Sequence, residues 1–190
     1  MDNLPCIIKR ECLAAANWLR LELLHYVDRQ GNERKWEAAQ RVNSRGAVLM
    51  IAEMRSSGEV ILIRQYRPPS DKYVIEFPAG LIDDGEDPAA TAVRELLEET
   101  GYHGTVKEVS PPGFNSPGMT GEMIYSVVME IDDTASRNRE PVAQQEESED
   151  IETFLVKKSE LEDFIRNAIA KGWGVDAKVI TYAIASCRNN

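Results

Sequence analysis

The chain has 190 residues, 43% of them hydrophobic, which is enough for one domain with a proper core and a small N-terminal extension. Its formal net charge of −10 argues against a general nucleic-acid binder, because phosphate backbones select for basic surfaces. Three cysteines without CxxC spacing and only two histidines indicate neither a disulfide framework nor a zinc site.

The N-terminus carries no signal-peptide pattern, and no run of about 18 apolar residues predicts a membrane span. The cysteine usage is typical of a protein in a reducing compartment. We therefore expect a cytoplasmic protein that binds neither membranes nor nucleic acid.

The first half of the chain predicts mainly strands. Loosely alternating residues from Trp18 to Val27 and from about Lys35 to Val42 flank a polar turn at 28–32, which predicts an N-terminal hairpin. Two apolar runs around Ser56-Ser57-Gly58 predict a second hairpin with strands buried on nearly both faces. The strands of this second hairpin are predicted at 47–54 and 60–66, and the remaining strands at 73–77, 105–109 and 123–131. A Pro- and Gly-rich loop is predicted at 111–121 and a mobile acidic loop at 132–149.

A central helix is predicted from about 88 to 100. Asp87 is a natural N-cap, Pro88 suits the first helical position, and Gly101 can take the left-handed conformation that ends a helix. Two more helices are predicted at the C-terminus, from Ser159 to Lys171 and from Asp176 to Cys187. These elements predict an α+β fold in which a mixed sheet is sandwiched between helices.

The predicted central helix carries a crowded set of charges. Glu95 and Glu99 are four residues apart and share a face, with Glu98 beside them and Arg94 one turn from Glu98. Because three carboxylates within one and a half turns repel each other, a bound divalent cation is the favoured explanation. The alternative is a solvated acidic helix that holds no metal.

The spacing of these residues resembles the Nudix box. Gly80 is followed by Glu86, the Arg94-Glu95-Leu96 triplet, the Glu98-Glu99 pair and Gly101 at every fixed position of that pattern, and only the aromatic Tyr102 departs from it. The resemblance implies a Nudix fold and the hydrolysis of a diphosphate.

Magnesium is the expected cofactor, as two or three ions, with manganese as a substitute. Glu95, Glu98 and Glu99 are the predicted ligands, and the resemblance adds the backbone carbonyl of Ala79. Arg94 is expected to pair with a neighbouring glutamate and to hold the geometry of the cluster. For Glu86 a structural role at the helix N-terminus is favoured.

Hydrolysis also needs a group that accepts a proton from water. Glu146, Glu147, Glu149 and Glu152 lie where the predicted mobile loop meets a strand. In relatives that hydrolyse ADP-ribose the base is a glutamate at the end of this loop, and Glu149 aligns best. The alternative is a solvated acidic loop end.

Residues outside the box resemble ADP-ribose and ADP-sugar pyrophosphatases of the eukaryotic type. Arg67 before two prolines suits bidentate contact with a phosphate or a carboxylate, and Glu76 suits pairing with Arg67 or with a substrate hydroxyl. Pro117 lies sixteen residues after Gly101, where a proline marks this branch, and Gly118 and Met119 follow it as further substrate-binding candidates.

The resemblance assigns the adenine contacts to the N-terminal region. Trp36 with Glu37 and Arg41 resembles the element that stacks on adenine and contacts ribose or phosphate, and Trp18 resembles a second aromatic partner. A cross-strand core pair of the two tryptophans is the alternative.

The predicted domains are an N-terminal β extension at 1–45, for dimerisation and adenine contacts, and a Nudix catalytic domain at 46–190. The resemblance implies a homodimer that cuts ADP-ribose to AMP and ribose 5-phosphate, with other ADP-sugars as further substrates. The alternatives are another nucleotide sugar, such as a GDP-sugar, an oxidised nucleotide, or a metal-free Nudix module that binds a nucleotide without cutting it.

Overall fold

A computed structural model describes residues 4–145, 147 and 149–187 of the chain. Within these residues the chain forms strands and three α-helices. The strands are β1 (Cys6–Ala15), β2 (Leu19–Val27), β3 (Glu33–Arg41), β4 (Ala47–Met54), β5 (Glu59–Arg67), β6 (Lys72–Glu76), β7 (Ala79–Leu81), β8 (Gly104–Val109), β9 (Gly113–Phe114), β10 (Met123–Ile131), β11 (Ile151–Lys157) and β12 (Gly174–Val175). The helices are α1 (Pro88–Thr100), α2 (Leu161–Ala170) and α3 (Ala177–Cys187).

The chain divides into two compact units. The first contains residues 1–47 and 112–124, and the second contains residues 48–111 and 125–190. The first boundary lies close to the domain limit predicted at 45. The roles predicted for the two domains stay predictions.

The first unit is built on an antiparallel sheet in the order β1-β2-β3. The predicted hairpin of β2 and β3 is confirmed, and its turn is closed by the Asp28 N–H, which donates to the Asn32 carbonyl at 2.9 Å. Strand β1 was not predicted from the sequence, because its pairing with β2 shifts register twice, after Ile7 and after Cys12. Each shift moves the apolar residues to the opposite face and interrupts the alternation that marks a strand.

The second unit contains a mixed sheet in the order β12-β6-β5-β4-β10-β8, with β11 paired to β5 and β7 paired to β4. Strand β12 runs parallel to β6, whereas β5 is antiparallel to both β6 and β11. Strand β10 begins in the first unit, where Met123 pairs with Phe114 of β9.

Helices cover both faces of this sheet. The core around α1 contains Ala92 and Leu96 of the helix, alternate residues of β4 such as Met50, and Ile61 of β5. On the opposite face, Phe154 of β11 stacks edge-on against Phe164 of α2 with 5.4 Å between the ring centres. The predicted sandwich of helices on a mixed sheet is therefore confirmed.

The limits of α1 agree with the sequence prediction. The Asp87 side chain accepts a hydrogen bond from the Ala90 N–H, Pro88 is the first helical residue, and Gly101 ends the helix with φ of 76°. Helix α2 begins at Leu161, two residues after the predicted Ser159, because residues 158–160 form a 3-10 turn without a side-chain cap.

The described part of the acidic segment after β10 contains a 3-10 turn at Ser136–Asn138. Asn138 is buried and its side chain accepts a hydrogen bond from the His103 N–H and donates to the carbonyls of His103 and Asp132. Part of a segment predicted to be mobile is thus attached by a buried amide to the residue before β8 and the residue after β10.

Among the described residues, no helix has the length and apolar composition needed to cross a membrane. The cytoplasmic location stays a prediction.

Candidate active site

Arg94 joins four carboxylates at the start of α1. Its Nε and Nη2 donate to the two carboxylate oxygens of Glu86 at 3.0 and 2.9 Å, and its Nη1 donates to Glu95 at 3.0 Å and Glu98 at 2.9 Å. Asp83 lies 3.5 Å from Nη2. The predicted pairing of Arg94 with a neighbouring glutamate is found, but it extends to three glutamates and includes one from the preceding loop.

Glu86 therefore does more than complement the helix dipole. Its carboxylate also accepts a hydrogen bond from the Thr91 hydroxyl at 2.9 Å. The hydrogen bonds from Arg94 lower the pKa of Glu86, and the same carboxylates raise the pKa of Arg94. Both groups are thus held in their charged forms, which ties the loop before α1 to the helix.

Glu99 and Glu95 have the opposite electrostatic environment. Glu99 is buried and accepts one hydrogen bond, from the Ala79 N–H at 3.1 Å, and burial raises its pKa to about 8. Burial also raises the pKa of Glu95 to about 7. The negative charges of Glu95 and Glu149 raise the pKa of Glu99 further, and those of Glu98 and Glu149 raise the pKa of Glu95. A cation near these groups would offset the unfavourable free energy of keeping the two carboxylates charged.

Gly80 leaves the space that the Glu95 carboxylate occupies. A Cβ placed on Gly80 would lie 2.0 Å from Cδ of Glu95, so no larger residue fits without moving that side chain. Strand β7 and helix α1 thereby approach closely at the site.

The donor set suits a hard cation that keeps part of its water. Among the described residues, no group of three or more acidic, histidine or cysteine side chains is already arranged around one point. The carboxylates contact Arg94 and the Ala79 N–H instead. Mg²⁺ is usually held by only a few protein carboxylates, together with water and substrate phosphates. The residues here therefore suit Mg²⁺ better than an ion that the protein encloses completely.

Arg67 of β5 and Glu76 of β6 form an ion pair through one carboxylate oxygen. Nε and Nη2 of Arg67 lie 2.8 and 2.7 Å from the same oxygen of Glu76. Arg67 was predicted to bind a phosphate or a carboxylate, and Glu76 to bind Arg67 or a substrate hydroxyl. The structure contains the ion pair between the two residues. The positive charge of Arg67 partly opposes the rise in the pKa of Glu99. The Arg67 guanidinium is therefore within electrostatic reach of the acidic cluster.

The four candidates for the base differ in their surroundings. Glu149 is half-buried and its charge acts on Glu95 and Glu99. Glu152 instead forms an ion pair with Arg64 at 2.7 Å, and Glu147 is exposed. Glu146 lies outside the described residues.

The first unit brings together most residues predicted to contact adenine. The Trp36 Nε1–H donates to the Gly118 carbonyl at 3.0 Å, and the Ala39 N–H donates to the Met119 carbonyl at 2.9 Å. Arg41 forms an ion pair with Glu122 at 2.8 Å. The 112–124 segment is thereby attached to β3 over the stretch that carries Trp36, Glu37 and Arg41.

The core-pair interpretation of the two tryptophans is wrong. Trp36 pairs with Leu24 across the hairpin, whereas the Trp18 carbonyl accepts a hydrogen bond from the Val42 N–H. Their exposures of 77% for Trp18 and 50% for Trp36 also exclude a core position. Both tryptophan side chains are accessible in the first unit.

A cavity of about 340 Å³ lies beside Trp36 in the first unit. It is mainly apolar, and Arg10, Gln40 and Thr120 are the polar residues of its lining. Its size is within the range of small-molecule sites. Its lining residues are Ile7, Arg10, Leu24, Trp36, Ala38, Gln40, Phe114, Pro117, Met119, Thr120 and Gly121.

Comparison with known proteins agrees with the box. The family model described as NUDIX domain matches residues 43–180, and the chain therefore belongs to the Nudix family. An ADP-ribose pyrophosphatase of Saccharomyces cerevisiae is 39% identical over 170 residues, covering 85% of this chain and 74% of the yeast protein. An ADP-sugar pyrophosphatase of Mus musculus is 34% identical over 190 residues, covering 94% and 86% of the two chains.

The fold is shared with a solved structure of an ADP compounds hydrolase. The TM-score is 0.72 at 21% sequence identity, over 97% of this chain and 92% of that one. The predicted Nudix fold is confirmed.

Proposed function

We propose that this chain is a magnesium-dependent hydrolase that cuts the diphosphate of ADP-ribose into AMP and ribose 5-phosphate, and that accepts other ADP-sugars. The observation that carries the proposal is the joint presence of the Arg94-centred cluster and of Glu95 and Glu99, whose pKa values burial raises. Relatives named for ADP-ribose and ADP-sugars support the substrate class.

Glu95, Glu98, Glu99 and the carbonyl of Ala79 would hold two or three magnesium ions, with manganese as a substitute. When bound, the metal neutralises the diphosphate and makes its phosphorus more electrophilic. Arg94 holds the glutamates in place, since its guanidinium contacts both Glu95 and Glu98.

Glu149 accepts the proton of the attacking water. The water oxygen bonds to one phosphorus while the bond from that phosphorus to the bridging oxygen breaks, and the two products each keep one phosphate. The half-buried position of Glu149 and the effect of its charge on Glu95 and Glu99 support this role.

Substrate recognition is assigned to two sets of residues. Trp18 and Trp36 stack on adenine, with Glu37, Arg41, Pro117, Gly118 and Met119 around it. Arg67 contacts the diphosphate, and Glu76 holds Arg67 or accepts a substrate hydroxyl. The hydrogen bond of Trp36 to Gly118 and the ion pair of Arg67 with Glu76 support these assignments, because both fix a recognition group in one orientation.

A homodimer formed through the N-terminal strands completes the proposal. Trp18, Leu19 and Leu21 expose 77%, 51% and 40% of their surface, and the two leucines share one face of β2 because side chains alternate along a strand. Analytical ultracentrifugation should give a dimer for the wild type and a monomer for a Leu19→Glu, Leu21→Glu variant. A monomeric wild type at micromolar concentration contradicts dimerisation.

A panel of substrates with magnesium tests the substrate assignment. ADP-ribose, another ADP-sugar, a GDP-sugar and an oxidised nucleotide are compared by kcat/KM, with products separated by ion-exchange chromatography. ADP-ribose should be preferred and should yield AMP and ribose 5-phosphate. A preference for the GDP-sugar or the oxidised nucleotide would overturn the substrate, and nucleotide binding without any cleavage would favour the non-catalytic module.

A further inference from the structure

One side chain links the end of α1 to the start of β11. The Gln145 Nε2 donates to the carbonyls of Glu99 and Ile151 at 3.2 and 2.8 Å, and its Oε1 accepts from the Ile151 N–H at 3.2 Å. The last carbonyls of a helix have no partner within the helix, so a polar side chain is well suited to bind one of them. Gln145 therefore links Ile151, two residues after Glu149, to the end of α1.

The chain before Gln145 is attached to the same helix end. The Gln144 N–H donates to the carbonyl of Glu98 at 2.8 Å. A Cβ on Gly101 would lie 2.5 Å from the Val142 nitrogen, so glycine at this position lets the chain pass directly over the helix end. The approach to residue 146 is thus attached to the backbone of Glu98 and Glu99, two of the proposed metal ligands.

The chain after Glu149 is attached to the sheet. The Tyr73 hydroxyl donates to the Asp150 carboxylate at 2.8 Å, and Glu152 forms its ion pair with Arg64. The Arg64 guanidinium lies 4.7 Å from the ring centre of Tyr73 and 4.4 Å from that of Trp173. Tyr73 is thus attached to Asp150 by its hydroxyl and to Arg64 by its ring.

We propose that Gln145 and Tyr73 are positioning residues that hold Glu149 against the acidic end of α1 so that it can accept the proton of the attacking water. This assignment rests on the proposed function, in which Glu149 is the base. Neither residue touches the substrate, and both act through the backbone on either side of Glu149. General-base catalysis depends on hydrogen-bond distance, so loosening either attachment lowers the rate of the chemical step more than it weakens substrate binding.

Two pairs of variants test the proposal in the full-length protein with ADP-ribose and magnesium. Tyr73→Phe removes the hydroxyl and keeps the ring. Its matched control is Tyr66→Phe, because Tyr66 is the other ring of the same aromatic pair and its hydroxyl donates to Asp71. Gln145→Met keeps the length of the side chain and loses its three hydrogen bonds. Its matched control is Gln144→Met, because Gln144 contacts α1 through its backbone N–H, which the substitution keeps.

We expect kcat to fall about ten-fold in Tyr73→Phe and about ten- to a hundred-fold in Gln145→Met, with KM changed less than about two-fold. Both controls should retain the wild-type kcat. The decisive comparison repeats the substitutions in a Glu149→Gln background, where neither should lower kcat further, because residues that act through one group are not additive. A merely structural effect would persist in that background.

The outcomes separate the two proposals. An active wild type in which Tyr73→Phe and Gln145→Met behave like their controls overturns the positioning roles alone, and so does a loss of kcat that persists without Glu149. A wild-type protein that binds magnesium but cuts no nucleotide diphosphate overturns the proposed function and this assignment with it. Hydrogen exchange of the Ile151 amide should rise in Gln145→Met and stay unchanged in Gln144→Met, and equal exchange in the two also contradicts the attachment.

Discussion

Arg94 and Glu86 form a bidentate ion pair that closes the loop before α1 onto the helix, with nitrogen–oxygen distances of 3.0 and 2.9 Å. The remaining nitrogen of Arg94 contacts Glu95 and Glu98. One guanidinium thus fixes the side chains of two proposed metal ligands relative to the loop. This contact makes the geometry of the carboxylates depend on a residue that does not bind metal itself.

Replacing Arg94 by lysine keeps the charge and removes the planar fork, so it should disorder the glutamates without leaving them unneutralised. We expect magnesium affinity and kcat each to fall by about ten- to a hundred-fold, as is usual when a residue that orients metal ligands is lost. Isothermal titration with magnesium and steady-state kinetics measure the two effects. Arg55→Lys is the matched control, because Arg55 also contacts two carboxylates, Glu130 and Asp132, away from the box. Equal effects of the two substitutions would contradict the role of Arg94.

Substituting Gly80 by alanine tests the close approach of β7 to α1. The added Cβ would lie 2.0 Å from Cδ of Glu95 and must displace that carboxylate. Magnesium-dependent activity should therefore fall at least about ten-fold, because a displaced ligand weakens the metal site. Gly113→Ala is the control, since the nearest atom to its Cβ would be 4.0 Å away. Wild-type activity in Gly80→Ala would show that the Glu95 position is not critical.

The stability of the metal-free protein should depend on pH through Glu99. Its pKa is raised from 4.5 to about 8, so the folded state binds more protons than the unfolded state between these values. Stability is then highest below pH 4.5 for this group and is lost as the pH rises towards 8. Urea unfolding with a chelator should give a steeper loss between pH 5 and pH 8 for the wild type than for Glu99→Gln, and magnesium should reduce that loss. Parallel slopes for the two proteins would contradict the raised pKa.

Trp36 offers a separate test of adenine recognition. Trp36→Phe keeps an aromatic face and loses the hydrogen bond to the Gly118 carbonyl, whereas Trp36→Ala loses both. Because stacking of a base on an aromatic ring contributes about 1–3 kcal/mol, KM should rise about five- to a hundred-fold in the alanine variant and less in the phenylalanine variant. Wild-type KM values in both variants would contradict stacking of adenine on Trp36.

The sequence predicted α1 well because its signals are local. Asp87, Pro88 and Gly101 each act on the backbone next to them, so the limits of the helix follow from residue type alone. The shared face of Glu95 and Glu99 follows from helical spacing in the same way. Strand β1 could not be predicted, because two register shifts interrupt its alternation.

Contacts between distant residues and backbone atoms were beyond sequence reasoning. Gln145 binds carbonyls 46 and 6 residues away, and a glutamine in an acidic loop has no spacing that marks it. Glu122, the partner of Arg41, was missed for the same reason. The pairing of Arg94 with Glu86 depends on how the loop at 81–87 turns back onto the helix, which residue types alone do not specify.

In the proposed mechanism, buried Glu99 and the neighbouring carboxylates of α1 hold metal for cleavage of an ADP-ribose diphosphate. The most direct measurement is AMP release from ADP-ribose with magnesium, for the wild type beside Glu99→Gln, which keeps the shape of the buried side chain and removes its charge. We predict magnesium-dependent release by the wild type and a loss of at least about a hundred-fold in kcat for the variant. Equal turnover by both proteins would contradict the metal-binding role of Glu99, and no turnover by either would contradict the proposed hydrolase activity.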